Sequence, residues 1–215
     1  MKTYLPREIE KESFRIINEE LGGLELTQNQ APIIKRVIHT TADFEYATSL
    51  CFSENAVEIA LEAIKMGVDI VTDTQMTKAG ISKVTLLKGG GEVHCFISDF
   101  DVAKKAKEKE TTRASICMEK ASLIKKPVIF AIGNAPTALI SLDKLIKEGL
   151  VNPILIIGVP VGFVNVVESK ELIMKSGIPF IVAKGRKGGS NVAASIVNAL
   201  LYMAFPREED EGLNN

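Results

Sequence analysis

Only two histidines occur in the chain, His39 and His94, and imidazole is the one side chain whose ordinary protonation range straddles neutral pH. Any general acid–base step near pH 7 therefore begins with one of them. His39 lies in the segment RVIHTTAD. It is followed by Thr40, Thr41 and Asp43, and preceded three positions earlier by Arg36. On a helix that spacing puts Arg36 and His39 on one face. Two hydroxyls, a carboxylate and a guanidinium around one imidazole are the groups that orient and tune a proton-transfer residue. The same spacing serves equally well for a histidine that only complements the negative end of a helix dipole. His94 stands inside the apolar run VHCF, where a packed or partner-satisfied histidine is the expected state.

A second kind of chemistry is anion binding. Three glycine-bearing segments each follow an apolar run: GNAPT at Gly133, GVPVGF at Gly158 and Gly162, and KGRKGGS at 184–190. Taken singly, each glycine equally serves a tight turn or a helix cap. If the runs are parallel strands, the three loops open on one sheet edge, where helix N-termini present free N–H groups. KGRKGGS suits a carboxylate or phosphate, and Arg186, Gly188, Gly189 and Ser190 are its candidate contacts, beside Lys184 and Lys187. None of the loops fits G-x-G-x-x-G or G-x-x-x-x-G-K-[ST], which disfavours a nucleotide-using oxidoreductase or transferase.

Other polar residues carry less. Arg113, in Thr111-Thr112-Arg113, sits where a helical stretch could reach an anion. Asp69 and Asp73 are four apart without histidine or further acids beside them, so no protein-bound metal is expected, and Asp73 is read as a helix cap. Cys51, Cys95 and Cys117 are odd in number and widely spaced, against a disulfide framework or a zinc site. By pattern alone Ser13 is an ordinary surface serine.

The elements that must position these residues follow from periodicity. Residues 7–21 form an amphipathic helix closed by Gly22-Gly23. Thr27 caps a second helix that turns Ile33, Ile34, Val37 and Ile38 to a core and delivers His39 at its C-terminal end. A helix over 54–66 stops at Gly67, a strand over 68–71 follows, and Asp73-Thr74 opens a short helix. Strand 93–97 precedes a helical stretch over 99–125 broken near Thr111. From Pro127 the runs PVIFAI, PILIIGV and IPFIVA alternate with helices over 137–148, 165–176 and 191–203. Strands apolar throughout and separated by helices imply a mostly parallel sheet with right-handed crossovers. The expected fold is a single α/β domain over residues 1–205, a Rossmann-like three-layer architecture, with a disordered acidic tail over 206–215.

Composition sets outer limits. A charge of −1, from 26 basic and 27 acidic side chains, offers no global field for nucleic acid or an anionic membrane. No apolar run reaches the roughly 20 residues of a membrane span, and the polar start MKTYLPREIEKE is unlike a secretory signal. A cytoplasmic location is expected.

The segments RVIHTTAD, DTQMTKAGIS, AIGNAPTALISL and VPVGFVNVVESK, with IEKESFRII, TTRAS and GRKGGSNVAASIVNAL, resemble in order and over nearly the whole chain the precorrin-8X methylmutase family. The resemblance implies an isomerase of cobalamin biosynthesis. It would move one ring methyl from C11 to C12 of precorrin-8 or its cobalt complex, giving hydrogenobyrinate or cobyrinate. His39 matches the family's proton donor and acceptor. Ser13 and Arg36 match substrate contacts, and Thr40, Thr41, Asp43 and Arg113 are further placements. No cofactor is implied, since any cobalt belongs to the substrate, and the implied assembly is a homodimer. A carrier that binds the corrinoid without converting it would share nearly all these residues except a need for His39.

Overall fold

Residues 5–206 are described by a computed structural model of the chain. Its centre is one six-stranded sheet in the order β1-β6-β5-β4-β2-β3. The strands are β1 (Leu50–Phe52), β2 (Asp69–Thr72), β3 (Val93–His94), β4 (Val128–Ile132), β5 (Leu155–Gly158) and β6 (Phe180–Ala183). All neighbours pair in parallel except β1, which runs antiparallel along β6 with Leu50 opposite Ala183 and Phe52 opposite Ile181.

Every residue of β2, β4 and β5 is buried, as expected of parallel strands covered on both faces. Alternation along each strand divides the side chains between two cores. Ile70, Ile129, Ala131, Ile157 and Ile181 face one layer of helices, with Ile33, Val37, Ala60 and Ile196 packed against them. Those residues belong to α2 (Ala31–Thr41), α4 (Ala56–Lys65) and α11 (Ser190–Ala204), and α1 (Pro6–Leu21) adds Ile17. Val71, Phe130, Ile132, Ile156 and Val182 face the other layer. It is formed by α7 (Phe100–Glu108), α8 (Arg113–Ala121), α9 (Pro136–Lys147) and α10 (Val166–Met174). Three short helices complete the set: α3 (Tyr46–Ser49), α5 (Gln75–Gly80) and α6 (Lys83–Leu87). The three-layer α/β expectation holds.

Local departures have local causes. β1 was not anticipated, because three residues give no readable alternation. Strand β3 covers only Val93–His94 of the expected 93–97. Thr27 does not cap α2; its carbonyl accepts the N–H groups of Gln30 and Ala31, both at 2.9 Å, forming a turn ahead of the helix. The break near Thr111 is present, with Thr112 accepting from the Ser115 N–H at 3.2 Å to start α8. Of the acidic tail, residues 207–215 lie outside the described residues. Among the described residues no helix is long and apolar enough to cross a membrane, and no three His, Cys, Asp or Glu side chains gather as a metal site.

The two aspartates of β2 and its exit have separate duties. Asp69, at the amino end, holds His94 Nε2 at 2.9 Å and accepts from Glu92 N–H at 3.0 Å and Lys126 Nζ at 3.3 Å. His94 is thus satisfied by a partner, as its apolar setting suggested. Asp73, at the carboxyl end, is not the cap of α5; Thr74 is, accepting from Thr77 N–H at 3.1 Å. The Asp73 carboxylate instead accepts three backbone N–H groups of the loop after β4, from Gly133 at 3.0 Å, Asn134 at 2.8 Å and Ala135 at 2.7 Å. Asp73→Asn puts an amide donor against one of these buried donors, and should lower unfolding stability by about 2–3 kcal/mol. A urea midpoint displaced at constant slope is the expected reading.

Candidate active site

The carboxyl ends of β2, β4, β5 and β6 lie on one edge of the sheet, and the glycine loops meet there. Gly188 passes so close to the loop after β5 that a Cβ on it would lie 2.1 Å from the Val159 carbonyl oxygen. A Cβ on Gly133 would lie 2.7 Å from the Gly189 carbonyl oxygen. Only glycine permits either approach. Hydrogen bonds complete the join: Gly189 N–H to the Val159 carbonyl at 2.9 Å, Gly162 N–H to the Arg186 carbonyl at 3.2 Å, and Ser190 Oγ to Thr74 Oγ1 at 2.8 Å. The three loops expected to share an edge do share one.

His39 reaches the same edge by a different route. Because β1 is antiparallel, the chain entering it comes from the edge at which β6 leaves, and the Lys184 N–H donates to the Ser49 carbonyl at 2.8 Å. The segment between α2 and β1 is therefore laid beside KGRKGGS. Lys187 Nζ fixes it there, donating to Asp43 Oδ2 at 2.6 Å and pairing with Glu45 at 2.7 Å. The hydrogen bond from Lys187 holds the Asp43 carboxyl below its usual range, and both carboxylates raise the Lys187 ammonium.

The imidazole of His39 is exposed at the end of α2 and stacks on Phe14 of α1, with ring centroids 5.3 Å apart and planes 11° from parallel. Arg36, one turn back, lies over the same Phe14 ring at 5.1 Å and over Tyr202 of α11 at 5.2 Å. Its Nη1 donates to Glu10 at 2.6 Å. Partial burial against Phe14, then the Arg36 charge, lower the imidazole's pKa below the ordinary value, and Glu10 opposes them. A depressed pKa makes the imidazolium a stronger acid and leaves the resting ring able to take a proton back.

Of the other candidates, Ser13 stands on α1 beside Phe14 and donates to the Ile9 carbonyl at 2.8 Å. Thr40 and Thr41 donate back along α2 to the Arg36 and Val37 carbonyls at 2.9 and 2.8 Å. Arg186 extends over Phe163 at 5.6 Å. Phe163, Val164 and Met76, exposed by 83%, 78% and 71%, are apolar side chains on segments that follow strands at this edge. Arg113 belongs to the opposite helical layer. It opens α8 next to Thr112, whose hydroxyl bonds Thr137 at the start of α9 at 2.9 Å, and no contact joins it to the His39 cluster. Sequence reasoning missed Phe14 as the stacking partner, Glu10 and Tyr202 around Arg36, and the buried Lys170. For Phe14 a signal existed: it is apolar and adjacent to Ser13.

The chain is similar to known proteins along most of its length. Residues 8–203 match the family model described as precorrin-8X methylmutase. The chain is 48% identical over 202 residues to a cobalt-precorrin-8 methylmutase of Priestia megaterium, covering 94% of this chain and 90% of that protein. It is 43% identical over 216 residues to one of Leptospira interrogans, covering 96% and 98%. A crystal structure of a precorrin-8X methylmutase from Thermus thermophilus superposes with a TM-score of 0.83 at 38% identity, over 91% of this chain and 96% of that one.

An NMR pH titration of the imidazole signals tests the electrostatics around His39. The His39 signal, assigned by its loss in His39→Ala, is expected to titrate below the ordinary imidazole value. Arg36→Met should move the midpoint up and Glu10→Gln should move it further down; a midpoint indifferent to both would refute the electrostatic account.

Proposed function

We infer that His39 is the proton-transfer group of this chain, which belongs to the precorrin-8X methylmutase family and is an isomerase. The substrate is precorrin-8 or its cobalt complex, and the reaction carries one methyl from C11 to C12 of the same ring, giving hydrogenobyrinate or cobyrinate. The cobalt complex is the form to test first, since the Priestia and Leptospira relatives are named for it. No external methyl donor enters the balance: the bond to C11 breaks as the bond to C12 forms.

The observation that carries this reading is the His39 imidazole stacked on Phe14 next to Arg36, on a segment that Lys187 clasps to the KGRKGGS loop. Donating a proton to the macrocycle withdraws electron density from the migrating centre and lowers the barrier, and His39 recovers the proton when the product forms. Phe14 fixes the plane of the ring. Arg36, with one arm on Glu10, keeps its acidity high and has donors left for a substrate carboxylate. Arg186, Gly188 and Ser190 hold further carboxylates, whereas Gly189, whose N–H is already given to the Val159 carbonyl, shapes the turn, and Ser13, Thr40 and Thr41 accept hydrogen bonds with the lone pairs their helices leave unused. Asp43 acts through Lys187 as the clasp that sets the loop beside His39. Arg113 meets the substrate's far margin. The same reading places the enzyme in the cytoplasm as a homodimer, whose second subunit would help to enclose so large a ligand, with no cofactor of its own.

Absorption spectra decide the matter. Purified protein mixed with cobalt-precorrin-8, or with the metal-free form, should convert it to the product chromophore. His39→Ala should bind with little change and lose about 10²- to 10⁴-fold in kcat. Binding without conversion by the native protein would identify a carrier, and no spectral change at all would defeat the corrinoid reading.

A further inference from the structure

Lys170 of α10 is 1% exposed, the one lysine among the largest fully buried side chains. Among the described residues its ammonium meets no carboxylate. Nζ donates instead to two backbone carbonyls of the KGRKGGS loop, those of Gly185 and Lys187, both at 2.8 Å. Burial alone lowers its pKa to about 8, so the group is still mostly charged at pH 7. A buried cation without an anionic partner is costly, and a methionine of similar volume would fit an apolar site better. Its position therefore needs a reason beyond stability.

The reason lies in peptide geometry. The chain has no cis peptide bonds among its described residues, and across a trans peptide the C=O and the following N–H point in opposite directions. Drawing the Gly185 and Lys187 carbonyls onto Lys170 turns the N–H groups of Arg186 and Gly188 away from Lys170. Among the described residues neither N–H has an acceptor. The intervening Arg186 carbonyl is held separately by Gly162 N–H at 3.2 Å, and the Lys187 side chain is clasped by Asp43 and Glu45. The loop is thus fixed in a form with two unspent donors facing away from Lys170, a buried positive charge behind them and the Arg186 guanidinium on the same loop.

We propose that Lys170 is a positioning residue for substrate binding: it draws the Gly185 and Lys187 carbonyls inward and so presents the Arg186 and Gly188 N–H groups to one peripheral carboxylate of the corrinoid. The inference rests on the methylmutase reading. Lys170 touches neither substrate nor proton, so its loss should appear in KM and not in kcat.

Two measurements test it. Lys170→Met, checked for native folding by circular dichroism, is expected to raise KM for cobalt-precorrin-8 about tenfold or more while kcat stays within about twofold. An unchanged KM, or a fall confined to kcat, overturns the proposal. In the unaltered protein, the Arg186 and Gly188 amide protons should move downfield as hydrogenobyrinate is titrated in, a result independent of whether the variant folds. Amides that stay in place while product binds overturn it as well. A native protein that neither converts substrate nor binds product defeats the functional reading itself, whereas normal conversion with normal Lys170→Met parameters defeats Lys170 alone.

Discussion

The antiparallel pairing of β1 with β6 is the constraint on which the site depends. Four parallel strands bring their carboxyl ends, and hence the glycine loops, to one edge through ordinary βαβ connections. Nothing in that topology brings the end of α2 there. Three residues, Leu50–Phe52, do so by pairing against Ala183–Ile181 in the opposite sense. The pairing makes the entrance to β1 coincide with the exit from β6, and the Lys187 clasp onto Asp43 and Glu45 is the side-chain consequence. Had β1 been parallel, the segment that carries His39 would enter it at the opposite edge of the sheet, away from the glycine loops.

The electrostatics of the site follow from which cations are already occupied. The chain as a whole is nearly neutral, yet the ligand is a polyanion. Arg36 is shared with Glu10, and Lys187 with Asp43 and Glu45, so these two spend much of their charge on holding the structure. What these ion pairs leave unspent includes the Arg186 guanidinium, partial charges on N–H groups turned away from Lys170 and, behind them, the buried Lys170 ammonium, which has no carboxylate partner among the described residues. Fixed dipoles in a partly desolvated edge need no reorganisation when the ligand arrives, which suits a reaction whose main requirement is a held conformation and one proton.

Much of this was legible in the sequence, for identifiable reasons. The buried parallel strands were legible because PVIFAI, PILIIGV and IPFIVA are apolar on both alternating faces. The shared loop edge followed from topology, and His39 stood out because imidazole is scarce in this chain. The residues that resisted are those whose roles are set by tertiary contact. β1 is too short to show a period, and Asp73 looked like a cap because the donors it serves lie sixty residues ahead. Phe14 read simply as one apolar position of an amphipathic helix, with no sign that two residues of α2 would lie over it.

Lys170 shows why such residues stay hidden. Its helix, VVESKELIM, has charges at Glu168, Lys170 and Glu171, and a lysine between glutamates reads as a solvated face. Which face is buried is decided by α9 and by the loop after β6, neither of which the local pattern contains. The loop itself, with three cations around its glycines, reads as a direct anion grip. In the fold two of those cations divide the work, Lys187 turned aside to fix the loop to the His39 segment and Arg186 lying over Phe163, while a fourth cation from another helix sets the backbone. Charge in the sequence marked the right place, but peptide orientation, which only the fold determines, decides what that place presents to a ligand.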